Sequence, residues 1–134
     1  MKAAFLADRG IVKLGGEDAR SFLNGLVTSD LDKVAPGQAR YAALLTPQGK
    51  IIVDFIVSEP HAGQGGGLLL DCPAALAGPL ATKLGFYKLR AKVTVENLTG
   101  TMGVLAVWDD AGPLRNVMLD LAYPDPRVET FDQA

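Results

Sequence analysis

Asp54 is the side chain whose surroundings ask for a chemical explanation. It stands in the run IIVDFIVS, two places from Ile52 on one side and Ile56 on the other. Alternate residues of an extended strand share a face. Ile52, Asp54, Ile56 and Ser58 therefore lie together, and Ile51, Val53, Phe55 and Val57 lie opposite. A carboxylate between isoleucines either projects from a wetted sheet face or sits in a partly apolar cleft. In a cleft its proton affinity rises, and it can do acid–base or ligand-binding work. Residue pattern alone leaves both open, and unpaired Asp is seldom buried. Tyr41, thirteen positions earlier, is the aromatic that could wall such a cleft or simply pack across the strands.

Other chemistries are poorly served. The chain has one His and one Cys, which excludes an intrachain disulfide and any closed Cys/His metal set. His61 opens the Gly-rich stretch HAGQGGG, where nothing nearby would orient it as a base. That stretch lacks a following Lys-Ser/Thr and is not a phosphate loop. Cys72 reads as a small buried apolar group rather than a reactive thiol. No nucleophile triad or dinucleotide fingerprint can be assembled.

The element that must position Asp54 is a hairpin. Two apolar runs flank Thr46-Pro47-Gln48-Gly49, and Pro followed two places later by Gly is turn chemistry. Upstream, residues 3–7 and 11–14 read as short strands around Asp8-Arg9-Gly10. Gly15-Gly16 ends the second, and Glu17-Asp18 place acid at a helix N-terminus. Ala19, Phe22, Leu23, Leu26 and Val27 then mark one helical stripe. Gly25 within it would permit close approach of another backbone. Downstream, residues 68–71 read as a strand. A second helical segment carries Leu76, Leu80 and Leu84; Gly78-Pro79 either kinks it or sets its true start at Pro79, and the later start is favoured. Residues 86–96 return to strand period, with Lys88, Arg90 and Lys92 on one face. Further strands are expected at 104–108 and 117–121, and Trp108 as a core or rim aromatic. Helices packed on a mixed, largely antiparallel sheet make the fold α+β, with two main helices.

Composition sets the bounds. One domain's length, 49% hydrophobic and 21% charged residues describe an ordinary globular unit. A net charge of -2 argues against direct nucleic-acid binding, which needs a basic excess. No apolar run approaches the ~18 residues of a membrane span. The apolar start at residues 3–7 is shorter than the ~7–15 residues of a signal-peptide core, so a cytoplasmic compartment is expected.

LLTPQGKIIVDFIV, with FLNGLVTSD before it and FYKLRAKV after it, resembles the YgfZ-type folate-binding proteins. These are relatives of the glycine-cleavage aminomethyltransferase (T-protein). The resemblance runs from about Ile11 to Arg127. It implies a fold like the N-terminal folate-binding domain of aminomethyltransferases, and tetrahydrofolate or another folate as cofactor. In that family an aspartate thirteen places after a cleft-lining tyrosine contacts folate near the one-carbon centre. Asp54 and Tyr41 match by position, so Asp54 would be the catalytic or folate-sensing acid. The family's acidic neighbour is replaced by Val53. Its folate-contacting asparagine is matched by Asp71, which removes an amide donor. Thr28-Ser29-Asp30 resembles the family's Asn-Asp step, with Ser29 in place of Asn. Tyr87-Lys88-Leu89-Arg90 and Asp125-Pro126-Arg127 resemble two later YgfZ landmarks. Lys88 and Arg90 would face folate's glutamate tail, unless they are a solvated edge.

The resemblance implies an accessory protein that supports iron–sulfur enzymes, including those that modify tRNA. Two other readings stand beside it: a one-carbon transferase like the T-protein, and a non-catalytic structural or interaction domain. The family's Lys-Gly-Cys-Tyr-x-Gly-Gln-Glu segment is not in the sequence. Residues 1–134 are therefore expected to form the N-terminal part of the folate-binding domain. Such a partial cleft would bind folate weakly or not at all, and its exposed strand edges would favour a homodimer.

Overall fold

The computed structural model describes residues 2–28, 30–35, 38–46, 48–60, 67–100, 104–108, 115–118 and 121–124. In chain order the elements are β1 (Lys2–Phe5), β2 (Arg9–Gly15), α1 (Ala19–Asn24), a 3₁₀ turn (Leu31–Lys33), β3 (Arg40–Leu45) and β4 (Ile51–Ser58). There follow β5 (Leu68–Pro73), α2 (Ala74–Tyr87), β6 (Thr94–Asn97), β7 (Val104–Trp108), β8 (Arg115–Met118) and β9 (Leu121–Pro124). A five-stranded sheet has the order β3-β4-β5-β2-β6, and a four-stranded sheet the order β1-β7-β8-β9. Every strand pair among the described residues is antiparallel. The fold is α+β, as the residue pattern indicates.

The hairpin forms as its sequence dictates. β3 and β4 pair from Arg40↔Val57 to Leu45↔Ile51, with a bulge between Leu44 and Leu45. Gly49 takes φ +87°, a conformation that disfavours any side chain. On β4 the alternation holds: Val53, Phe55 and Val57 join the larger core. That core lies between the five-stranded sheet and the inner stripe of α2, Ala77, Leu80 and Leu84, with Ala19 and Leu23 of α1 beside it. Phe55 is fully buried at its centre, and truncation to Ala there costs about 3–5 kcal/mol. Ile11, Ile56 and Leu69 point the other way and meet Val104 of β7 in a smaller cluster. The sheet is thus covered on one face and partly covered on the other. Asp54 stands on that second face, half-buried and outside the smaller cluster.

Four expectations need correction. First, α2 starts at Ala74 and runs through Pro79. Pro79 is exposed, and only the Ala75 carbonyl loses an N–H partner to it. Gly78, with no Cβ, removes most of the steric conflict that a residue before Pro usually suffers. Second, residues 86–90 are not strand. The helix continues to Tyr87, Lys88 N–H closes its last turn on the Leu84 carbonyl, and Ala91 N–H returns to the Lys88 carbonyl. Only Thr94–Asn97 pairs as β6. Third, Glu17 and Asp18 precede α1 as expected, with Asp18 at its N-cap, but the Asp18 side chain makes no cap hydrogen bond. Asp18 Oδ2 accepts from Lys92 N–H at 2.8 Å, and Glu17 pairs with Lys92 Nζ at 2.9 Å. Gly16 makes this possible: at φ +99° its backbone lies so near the Lys92 carbonyl that a Cβ would sit 2.2 Å from the oxygen. Fourth, Gly25 follows α1 as its C-cap, and a Cβ there would meet only carbonyls of its own turn.

Candidate functional site

Tyr41 lies opposite Ile56 and Ala43 opposite Asp54 in the β3–β4 ladder. Tyr41 and Asp54 are therefore diagonal neighbours on one sheet face, within reach of a long aromatic side chain. The Tyr41 hydroxyl donates to Asp54 Oδ2. Tyr41 is 42% exposed and Asp54 half-buried, so the pair is open to solvent yet leans on the fully buried Ile56. Ile52 departs from the expected wall. Beside the bulge it packs on the larger core instead.

Asp71 joins the same face from β5, opposite Ile56 on β4 and Ile11 on β2. Its carboxylate is 1% exposed and forms a 2.8 Å ion pair with Arg9 Nε. Arg9 Nη2 also donates to the Asp71 carbonyl at 2.9 Å. Removing either partner would strand a buried charge, the costly way to break such a pair. Arg9 is the member that sequence reasoning missed. It lies 62 residues from Asp71, in a tripeptide that reads as a turn, and no local spacing signals the contact. Gly10, next to it, lets β2 pass beneath the start of α2, where a Cβ would lie 3.1 Å from Ala74 Cα.

The strand pairing gives this face its shape. The β4–β5 ladder runs from Ser58↔Leu69 to Ile56↔Asp71 and ends there, while β4 continues with β3 to Ile51. The opening beyond that pair is bordered by Asp54 on β4 and Arg9 on β2, with Tyr41 and Asp71 on either side of Ile56 in the last paired row. Thr28 braces the Asp54 side, since Ala43 N–H donates to Thr28 Oγ1 at 3.1 Å. Asp30 of the same step caps the 3₁₀ turn by accepting from Asp32 N–H at 2.9 Å. Ser29, His61 and Asp125-Pro126-Arg127 lie outside the described residues, as does the side chain of Trp108.

Lys88 and Arg90 are not brought to this opening. They sit in the α2–β6 turn, where Lys88 Nζ donates to the Val93 carbonyl at 3.5 Å and Arg90 is exposed. That turn adjoins Gly15↔Thr94, the end of β2 away from Arg9. Six strand residues separate the two ends, about 20 Å. Cys72 faces the larger core, fully buried, and burial pushes its thiol up to about 11, with Arg9 opposing and Asp71 reinforcing the shift. It is a protonated thiol at neutral pH. Among the described residues no three His, Cys, Asp or Glu side chains are grouped to hold a metal ion. No helix among them is long and apolar enough to cross a membrane.

This architecture is that of the aminomethyltransferase class. The crystal structure of glycine cleavage system aminomethyltransferase T from Bartonella henselae superposes on 78% of the chain with a TM-score of 0.66 at 21% identity, covering 27% of that protein. Residues 7–125 match the GCVT N-terminal domain, and the chain belongs to that family.

Among curated relatives, the mitochondrial iron–sulfur cluster assembly factor IBA57 homolog of Mycosarcoma maydis is 30% identical over 94% of this chain and 34% of its own length. The human mitochondrial IBA57 is 35% identical over 70% of this chain and 29% of its own length. The mouse protein is 37% identical over 68% and 28%. The chain spans about a third of the length of these relatives. Their names place those proteins in the mitochondrion, which overturns the expectation of a cytoplasmic compartment.

Proposed function

We propose that this chain supplies one wall of a folate-binding, YgfZ-type accessory domain that serves iron–sulfur cluster assembly. The observation that carries the reading is the Tyr41–Asp54 hydrogen bond on an open sheet face, where the β4–β5 ladder ends. The residues fit part of a folate. Asp54 gives one carboxylate oxygen to Tyr41 and keeps acceptor capacity for pterin N–H donors. The half-exposed Tyr41 ring offers an aromatic wall. Folate, when bound, is a carrier of one-carbon units; the side chains here bind and orient it. The names of the relatives support the iron–sulfur assembly role. Iron–sulfur enzymes that modify tRNA would be one class of client, on the resemblance to YgfZ-type proteins alone.

Val53 supports binding over aminomethyl transfer. The position where the resemblance has a second acid is here a valine buried in the larger core, so Asp54 works without a neighbouring carboxylate. Residues 1–134 act in this reading as the N-terminal part of the domain. Self-association through the β6 edge is the natural consequence, since among the described residues no strand pairs with the outer side of β6. The β3 edge is less available, because Val27 already bridges to Leu44.

A titration of the chain with tetrahydrofolate, followed by protein NMR, tests the proposal. Of the weak binding or none expected of a partial cleft, this reading commits to weak, saturable binding, falling about tenfold in Asp54→Asn with little loss of thermal stability. Equal binding by Asp54→Asn would remove Asp54 from the site.

A further inference from the structure

We infer that Arg9 is a ligand-binding residue of this site, a donor held in place by Asp71. This rests on the folate reading above and goes beyond it in naming a residue and a role. The resemblance puts an asparagine at position 71, whose amide donates to folate. Here position 71 is an aspartate with no donor to give, and the structure turns its carboxylate toward Arg9 at 2.8 Å. The lost donor function is restored by a neighbour. Asp71 takes Nε through its carboxylate and Nη2 through its carbonyl. A guanidinium carries five N–H donors in a rigid fork, so the Nη1 edge lies outside this pair.

Position supports the assignment. Ile56, Asp71 and Ile11 form one paired row across β4, β5 and β2, and Asp54 and Arg9 each lie two residues beyond that row, on the side where the β4–β5 ladder ends. Alternate residues share a face, so Asp54 and Arg9 stand on the face that carries Ile56 and Asp71. A ligand lying beyond that row would meet an acceptor at Asp54 and a donor at Arg9. The Arg9 side chain is 14% exposed, enough to present one edge while Asp71 below is closed off. The fixed partner matters because a pre-ordered guanidinium loses less freedom on binding. What Arg9 recognises is an oxygen acceptor of folate, either the pterin carbonyl or a glutamate carboxylate.

The test compares Arg9→Lys with the unaltered chain. Lysine keeps the charge beside Asp71 and so protects the fold, but it cannot hold Asp71 and present a second donor edge together. NMR titration with tetrahydrofolate should show affinity reduced about tenfold in Arg9→Lys, with thermal midpoints within about 2 °C of each other. Asp71→Asn, which loosens the guanidinium, should weaken binding less than Arg9→Lys does. Repeating the titration with tetrahydropteroate, which lacks glutamate, identifies the acceptor. A loss that persists assigns Arg9 to the pterin, and a loss that vanishes assigns it to the glutamate. Unchanged affinity for tetrahydrofolate in Arg9→Lys, with Asp54→Asn still impaired, overturns this inference and leaves the folate reading standing. No binding by the unaltered chain overturns both.

Discussion

Thr28 grips both backbone polar groups of Ala43 at the outer edge of β3: its N–H donates to the Ala43 carbonyl at 3.2 Å, and its Oγ1 accepts from Ala43 N–H at 3.1 Å. Ala43 is the residue opposite Asp54, so the loop after α1 is fastened to the back of the candidate site. Thr28→Val removes the acceptor and leaves a nearly buried N–H without it. A loss of about 1–2 kcal/mol in urea unfolding is expected. A loss below ~0.3 kcal/mol would mean that the contact carries no weight.

The Tyr41–Asp54 hydrogen bond should appear as coupling. Tyr41→Phe, Asp54→Ala and the double variant form a cycle, and an interaction of about 0.5–1 kcal/mol is expected for a half-exposed pair. Strictly additive single effects in chemical denaturation would show that the two side chains do not depend on each other.

Cys72 makes stability depend on alkaline pH. Its folded thiol is raised from 9.0 to about 11, mainly by burial. The folded state therefore favours the protonated thiol, and its contribution is complete below pH 9. It is lost as pH rises from about 9 to 11, by roughly 2–3 kcal/mol in all. Cys72→Ala should flatten the decline over that window when urea midpoints are compared at pH 8, 9, 10 and 11. Parallel declines in the two proteins would refute the assignment.

Leu89 sits at φ +41° and is 86% exposed. A leucine held there is strained by about 1–2 kcal/mol, and its side chain gains almost no burial in return. Asn tolerates this region better. Leu89→Asn should raise the thermal midpoint by a few degrees, and a lowered midpoint would mean that Leu89 makes contacts in solution that outweigh its strain.

What could be read in advance follows from the range of the interactions involved. The hairpin, its turn and the inward face of β4 from Val53 to Val57 are local, set by Gly49 and period-two alternation, and they appear as expected, while Ile51 and Ile52 beside the bulge leave the alternation. The Tyr41–Asp54 pair was within reach because both residues lie on one hairpin. Arg9–Asp71 was not, since it depends on β2 crossing to pair with β5, a long-range choice with no local signal. Residues 86–96 misled because alternation over a short apolar run suits a helix end as well as a strand. From Ala91 onward the alternation does hold, with Ala91, Val93 and Val95 turned to the core. In α2, reading Pro79 as a start ignored that Gly78 and an exposed proline together make a helix interior tolerable.

The most direct test of the central claim is amide chemical-shift mapping of this chain titrated with tetrahydrofolate. The account predicts saturable shifts confined to the opening between β4 and β5, at Tyr41, Asp54, Ile56 and Arg9, with Lys88 and Arg90 unmoved. Shifts centred on the Lys88–Arg90 turn, or none at any residue, would contradict it.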